Sequence, residues 1–402
     1  MHEPHLLSRE IGRIRGAAAG PTLIVVGGIH GNEPAGAIAA RRAIERLLAS
    51  GEAGDHATLR GEIVALTGNL AALRLKRRFQ AKDLNRQWTA ARVAALHARP
   101  DRTGDDPEDL EQRELLEAIE AAIARARGAV YFMDLHTTSA KGIPFVLFGD
   151  TLPQRRFASA FPLPIILGLE EQVDGVMSEY FTHHGCITLG IEGGQHDDPA
   201  SIDNLEAALY VALVAAGLVD LSPAATAGLS PAVIHERERI ALEHERGYAL
   251  LDSRRGHLPR VMEVVDRHAI CEHDEFRMAA GFANLDRARA GQLLARDKRG
   301  EIRAPSDGLV ILPLYQGQGD DGFFWGRPVS ELRMRASEAI RRTHLDRALH
   351  LLPGVTRDPQ CPDRLRVNTR IARLYPLDVF HAFGYRRIRQ NGKELTVERQ
   401  PG

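Results

Sequence analysis

The run Leu23-Ile24-Val25-Val26-Gly27-Gly28-Ile29-His30-Gly31-Asn32-Glu33-Pro34 constrains the fold more than any other stretch of the chain. An aliphatic segment breaks into paired glycines, and the break delivers a histidine and a glutamate three residues apart. A continuous apolar run bounded by glycine reads as a strand buried on both faces, as in a parallel sheet. Ligands of open α/β sheets gather beyond the carboxyl ends of such strands, so His30 and Glu33 are expected at a functional edge. An imidazole nitrogen and a carboxylate oxygen both bind zinc, and this spacing lets one turn of backbone aim them at a common point. The competing reading is a strand-to-helix loop in which Glu33 caps the next helix and His30 bonds to backbone.

The same alternation of short apolar runs and longer helical stretches continues to about Gly217, which predicts an α/β layered domain with a largely parallel sheet. Strands are expected at Leu23 to Ile29, Glu62 to Thr67, Val130 to Leu135, Phe145 to Phe148, Pro164 to Leu167 and Ile187 to Ile191. Ala35 to Leu48 is apolar at helical spacing, Asp106-Pro107-Glu108 opens a capped helix running to about Arg125, and Ile202 to Ala216 is a further apolar helix. The proline-punctuated segment from Leu221 to Pro231 reads as a linker, and the charge-dense Ile234 to Arg246 as a solvated helix. From about Pro259 to Val329, strand-like runs alternate with turn signals such as Gly317-Gln318-Gly319-Asp320-Asp321-Gly322, which predicts a small β-rich domain. The tail is arginine-rich, with Arg386, Arg387 and Arg389 near Tyr375, Phe380, Phe383 and Tyr385. A helical cap with a terminal hairpin around Asn391-Gly392 is the reading preferred over a nucleic-acid surface. The expected division is 1–225, 226–335 and an extension 336–402 of unassigned role.

Charge and cysteine usage narrow the classes further. A formal net charge of -1 over 402 residues gives no reason to expect nucleic acid or an anionic membrane as partner. Cys186, Cys271 and Cys361 are scattered without CxxC spacing, which argues against a cysteine-ligated metal and for a reducing cytoplasm. No run has the length of a transmembrane helix, and the amino terminus has no signal-peptide core.

A catalytic zinc site takes three protein ligands and leaves one position open, so His30 and Glu33 call for a third ligand at another strand end. His136 ends the run Val130-Tyr131-Phe132-Met133-Asp134-Leu135-His136 and supplies it. Asp134, two residues earlier, points to the same side of the strand and is placed to hold a ligand imidazole; a buried acid paired with an arginine is the alternative. Amide hydrolysis also needs a base, and Glu192 ends a third apolar strand, flanked by Gly193 and Gly194. Glu192 is read as general base and acid, with metal ligation left open. In Arg78-Phe79-Gln80-Ala81-Lys82-Asp83-Leu84-Asn85-Arg86, Asn85 and Arg86 suit a substrate carboxylate and Arg78 suits the oxyanion of a tetrahedral intermediate.

Together and in this order, these motifs resemble the succinylglutamate desuccinylase/aspartoacylase family, relatives of the zinc carboxypeptidases. His30-Gly31-Asn32-Glu33 is similar to its first metal motif and Gly68-Asn69-Leu70-Ala71-Ala72 to the loop that follows. Arg78 to Arg86 is similar to its substrate segment, Asp134-Leu135-His136-Thr137 to its second metal motif, and Ile191-Glu192 to its catalytic glutamate. The resemblance implies an α/β/α sandwich with a small C-terminal β domain. It also implies one Zn2+ per subunit on His30, Glu33 and His136, water activated by Glu192, an oxyanion held by Arg78, and a carboxylate gripped by Asn85 and Arg86.

Two departures stand out. The aspartoacylase branch carries a further substrate-binding arginine about ten residues before the catalytic glutamate, whereas this chain has Thr182-His183-His184, which argues against acylaspartate. His183 and His184 contact another acyl group or lie exposed on a loop. The extension after about Ser330 matches nothing in the family pattern. The expected activity is zinc-dependent hydrolysis of an acyl amide or ester in a small carboxylate-bearing compound such as an N-acyl amino acid, in a homo-oligomer or a monomer. The alternatives are a carboxypeptidase or peptide amidase using the same site, and a non-catalytic protein that kept the scaffold.

Overall fold

The computed structural model describes residues 8–49, 56–226, 229–343, 345–371, 377–391 and 394–400. The amino-terminal half runs β1 (Glu10–Gly27), α1 (Ala35–Leu48), β2 (His56–Thr67), α2 (Leu70–Leu75), α3 (Ala90–His97), α4 (Pro107–Arg125), β3 (Val130–Thr138) and β4 (Phe145–Leu147). It continues through α5 (Leu152–Ser159), β5 (Ile165–Leu167), α6 (Met177–His183), β6 (Ile187–Gln195), α7 (Ala200–Ala215) and α8 (Pro231–Arg255). Next come β7 (Val261–Ala269), β8 (Arg277–Met278), β9 (Asp286–Ala288), β10 (Leu293–Asp297), β11 (Gly300–Arg303), β12 (Gly308–Ile311) and β13 (Asp321–Val329). The chain closes with α9 (Glu331–Arg342), β14 (Val355–Arg357), β15 (Arg364–Asn368), α10 (Leu377–Ala382), β16 (Tyr385–Asn391) and β17 (Glu394–Arg399).

Ten strands form one sheet in the order β2-β1-β3-β6-β4-β5-β7-β13-β12-β9. Its first four strands are parallel, as the unbroken apolar runs require, and β4 enters antiparallel to β6. Alternation along each strand sends side chains to two cores. Leu23, Val25, Ile63 and Met133 pack with Ile44 of α1 and Leu209 of α7, while Ile24, Val26 and Val64 pack with Leu115 and Ile119 of α4 and Phe181 of α6. This is the α/β/α sandwich expected.

The first strand is longer than the expected one. Its earlier half, from Glu10, pairs with β2 through a series of register shifts, so its mixed polarity carries no alternation to read. The β-rich segment has two parts: β7, β13, β12 and β9 prolong the main sheet, and β8, β10 and β11 make a small antiparallel sheet. The tail pairs as β14-β15-β17-β16, with α9 and α10 beside it. The terminal hairpin has Asn391 opposite Glu394; Gly392, like Tyr375, lies outside the described residues.

A buried charge network docks this extension onto the sandwich. Asp150, fully buried after β4, receives Arg155 together with Arg341 of α9 and Arg386 of β16. Arg386 also reaches Glu171 at 3.2 Å, and His381 bridges Glu171 at 2.7 Å and Glu263 at 2.9 Å. Removing one partner of such a group strands the others in a dry interior. Asp150→Ala is therefore expected to destabilise the protein by about 3–5 kcal/mol, measured by urea unfolding.

The same network makes docking pH-dependent. Burial opposes the Glu263 carboxylate, but His381, Arg327 and Arg333 hold it down at about 2, so its contribution is full above its ordinary value near 4.5 and fades as pH falls below that. Burial and Arg386 work against the His381 imidazolium, yet Glu171 and Glu263 raise it above 6.5, so its contribution is full below 6.5 and fades as pH climbs through the raised value. Amide protection in β14 to β17, corrected for the intrinsic exchange rate at each pH, should be greatest between about pH 4.5 and 6.5 and weaker on both sides.

Candidate active site at the strand carboxyl ends

The turn after β1 is built from glycine. Gly28 has φ 75, and a Cβ on Gly27 would lie 2.3 Å from the Ala37 nitrogen, so only glycine lets α1 start this close to the strand end. That approach holds Glu33 over the edge of the sheet. α1 is capped by Pro34 without a side-chain hydrogen bond, so Glu33 does not serve as its cap. The carboxylate instead turns inward.

Its two oxygens meet two histidines. Oε1 is 2.9 Å from His30 Nδ1, and Oε2 is 3.2 Å from His136 Nδ1 while accepting the Thr137 amide at 3.0 Å. One ligand atom from each of His30, Glu33 and His136 lies within 4.8 Å of the others, and all three residues are buried. Each imidazole has a carboxylate on its far nitrogen: Asp83 Oδ1 is 3.2 Å from His30 Nε2, and Asp134 Oδ2 is 2.9 Å from His136 Nε2. This leaves both Nδ1 atoms facing the same point as Glu33, the usual arrangement by which outer carboxylates orient metal-binding histidines. Burial opposes the Glu33 carboxylate, but His30 and His136 hold it well below the ordinary range; burial likewise opposes the His136 imidazolium, and Asp134 and Glu33 raise it. Four acids, Glu33, Asp83, Asp134 and Glu192, face Arg78 here, a surplus of negative charge that a divalent cation fits.

Glu192 closes the group. It sits at the end of β6, opposite His136 in the parallel register, and its Oε2 is buried without a hydrogen-bond partner. Burial lifts its carboxyl to about 8, with Glu33 and Asp134 adding to the rise and His136 and Arg78 opposing it.

The loop 78–86 is fixed from beneath. The fully buried Glu108 accepts the amides of Gln80, Ala81 and Lys82 at 2.8, 3.0 and 3.3 Å, and Asn69, which caps α2, also donates to it. Arg78 is held by Asp83 at 3.0 Å and extends Nη1 to 3.4 Å from Glu33. Asn85 Oδ1 accepts the Met177 amide at the start of α6, and Nδ2 lies 3.5 Å from His136 Nε2. Arg86 lines the same pocket, but its Nη2 bonds Asp321 at 2.8 Å and its Nη1 bonds the Asn85 carbonyl at 2.9 Å. A substrate carboxylate reaching Arg86 therefore meets a guanidinium already shared with Asp321.

A pocket of about 170 Å³, open to solvent, joins His30, Glu33, Arg78, Asn85, Arg86, Asp134, His136 and Glu192. His183 and His184 are exposed and do not line it. Four contributors were not foreseen in the sequence. Asp83 lies within the Arg78–Arg86 motif, and its signal is an acid placed between a candidate oxyanion arginine and a candidate carboxylate arginine. His196 bonds Thr137 Oγ1 at 2.8 Å and Gln316 at 3.0 Å, and Gln316 also takes Asn32 at 2.7 Å. Gln316 and Asp321 come from the segment between β12 and β13, where only turn chemistry is visible in sequence. A second acid–histidine group, Glu263, Asp378 and His381, already has Arg327, Arg333 and Arg386 as counter-charges.

A pocket at the carboxyl ends of the strands is where open α/β sheets place their ligands. Residues 19–214, just under half of the chain, match the succinylglutamate desuccinylase/aspartoacylase catalytic domain. Similar solved structures include the ectoine utilization protein EutE (DoeB) of Ruegeria pomeroyi in a product-bound state, 19% identical, covering 78% of this chain and 87% of that one with a TM-score of 0.52. A succinylglutamate desuccinylase/aspartoacylase of Rhodobacter sphaeroides is 16% identical over 79% of this chain and 88% of that one, TM-score 0.53. An aspartoacylase family protein of Mesorhizobium loti is 18% identical over 79% and 88%, TM-score 0.50. These likenesses carry the fold. No curated protein matches the chain significantly.

Asp83→Ala should weaken the binding of an added divalent metal ion by roughly 10–100-fold while the protein stays folded, measured by chelator competition. Unchanged affinity would mean that Asp83 does not orient His30.

Proposed function

We propose that the chain is a zinc-dependent hydrolase that cleaves the acyl amide or ester bond of a small compound, an N-acyl amino acid being the type. The observation that supports this most is the meeting of His30 Nδ1, Glu33 and His136 Nδ1 in one pocket with the unpartnered carboxyl of Glu192. His30, Glu33 and His136 would hold the ion, which when bound supplies Lewis acidity toward a water and the scissile carbonyl. Glu192 takes the proton of the attacking water as the carbon–oxygen bond forms, then delivers it to the leaving nitrogen as the carbon–nitrogen bond breaks. Arg78, anchored by Asp83, donates to the developing oxyanion. Asn85 and Arg86 position a carboxylate, with Asp321 as the internal competitor.

The donors, base and arginines lie in 1–225, and the span 226–335 brings Gln316 and Asp321 to the pocket. The extension 336–402 brings Gln400. Gln316 ties Asn32 to His196 beside the donors, a cover that favours a small substrate over a peptide. Among the described residues no helix is long and apolar enough to cross a membrane. The three unpaired cysteines suit a reducing cytoplasm.

The test is metal analysis with a hydrolysis screen over N-acyl amino acids, short peptides and esters. Glu192→Ala should lower kcat by roughly 10²–10⁴-fold with zinc retained, and Arg86→Ala should act chiefly on KM for carboxylate-bearing substrates. Loss of zinc in Glu192→Ala would make that residue a ligand rather than the base, and absence of turnover with zinc bound would end the hydrolase reading.

A further inference from the structure

The pocket is far more acidic than the chemistry proposed for it requires. Its lining carries six carboxyl groups, Glu33, Asp134, Glu170, Glu179, Glu192 and Asp321, against two guanidinium groups, Arg78 and Arg86. Arg78 is engaged by Asp83 and Glu33, and Arg86 by Asp321. Glu33 and Asp134 contact the histidines, and Glu192 is the base. Glu170 and Glu179 have no place in that scheme.

Glu179 has no counter-charge among the described residues, and Glu170 has only a share of Arg386. Glu179 lies in the first turn of α6, and among the described residues it makes no hydrogen bond or ion pair. Burial and the negative charges of Glu170, Asp174 and Glu398 lift its carboxyl to about 8. Glu170 follows the left-handed Gly168 on the turn after β5; its side chain is 9% exposed, and its Oε1 has no hydrogen bond. The nearest cation, Arg386 Nε, is 3.4 Å away without hydrogen-bond alignment, and that guanidinium already serves Asp150 and Glu171. Burial lifts the Glu170 carboxyl to about 7, Arg386 offsetting part of the rise. An uncompensated buried carboxyl is costly, and one facing a pocket is relieved by a cation that enters it.

The rest of the wall indicates what kind of cation. Val173 and Val176, between the two acids in the chain, and Leu147 and Phe148, at the end of β4, present apolar surface to the pocket. A metal ion seeks converging oxygens, whereas an aliphatic chain ending in an ammonium matches apolar walls with acids among them. Residues 182–184 give this pocket no cation either: Thr182 lines it, and His183 and His184 are exposed outside its lining.

We propose that Glu170 and Glu179 form a subsite for a cationic side chain, so that the substrates are acylated basic amino acids or similar acylated amines rather than acylated acidic ones. This rests on the hydrolase reading for the word substrate, but not for the binding. Both acids would bind the ammonium while Arg86 and Asn85 take the α-carboxylate.

The experiment separates the two readings. L-lysine, L-norleucine and L-glutamate, alike in backbone and different in side-chain charge, are titrated calorimetrically into the zinc-loaded protein, and their N-acyl derivatives are screened for hydrolysis. Lysine should bind at least about tenfold more tightly than norleucine, with glutamate weakest. Glu179→Gln and Glu170→Gln, each checked for an unaltered melting curve, should erase most of the lysine advantage and leave norleucine unchanged. Because Glu179 has no hydrogen-bond or ion-pair partner among the described residues, its variant keeps the test valid even if Glu170→Gln disturbs the Arg386 network. Equal binding of lysine and norleucine, preference for glutamate, no binding of any of the three, or a lysine advantage intact in Glu179→Gln would overturn the proposal. A charge-dependent lysine preference without hydrolysis of any derivative would uphold the subsite and remove the hydrolase reading.

Discussion

The carboxylate of Glu33 is the contact on which the site depends. It reaches His30 across the turn after β1 and His136 at the end of β3, and it accepts the Thr137 amide. Two adjacent parallel strands are thereby joined at their carboxyl ends by a side chain as well as by their backbone ladder. The geometry is possible because Gly27 and Gly28 let the chain turn at the strand end with α1 pressed against it. Asp83 and Asp134 on the outer histidine nitrogens then fix which ring atoms face inward. Glycine turn, bridging acid and flanking acids act as one device, each needed to keep a buried charge group in a single arrangement.

Much of this was legible in the sequence, and the reasons are local. α1 came out at Ala35 to Leu48 and α4 at Pro107 to Arg125, because apolar spacing and a proline-started cap belong to the helix itself. The strand ends carrying His30, His136 and Glu192 were visible because buried parallel strands are aliphatic on both faces, which makes each polar break conspicuous. What escaped notice depends on distant partners. The early half of β1 has mixed polarity and is defined by its pairing with β2. Gln316 and Asp321 stand among glycines that say only turn, and their partners Asn32 and Arg86 are more than two hundred residues away. The docking of the extension was hidden by its own chemistry, since Arg341, Arg386 and Asp150 look like solvated charges until they are found buried together.

Charge accounting unites the site and the tail. Around the donors the acids outnumber the cations, which fits a metal; around Asp150, arginines match acids contact for contact, which fits a structural joint. Between them lie Glu170 and Glu179, served fully by neither arrangement. Arg386 touches both the joint and Glu170, so the extension is electrically continuous with the pocket wall as well as packed against it.

The main sheet carries a last consequence. β5 pairs with β7, and β7 with β13, so the strand leading out of the segment that bears Gln316 belongs to the same hydrogen-bonded array as the strands bearing His136 and Glu192. The strands that flank the cover cannot swing as a hinged body without breaking ladder bonds. The two ends of the loop over the donors are thus set when the sheet assembles, and exchange of side chains along that loop is the direct route to a change of selectivity. Such a pocket sorts its ligands by what it already is, with little of their binding energy diverted into rearranging it.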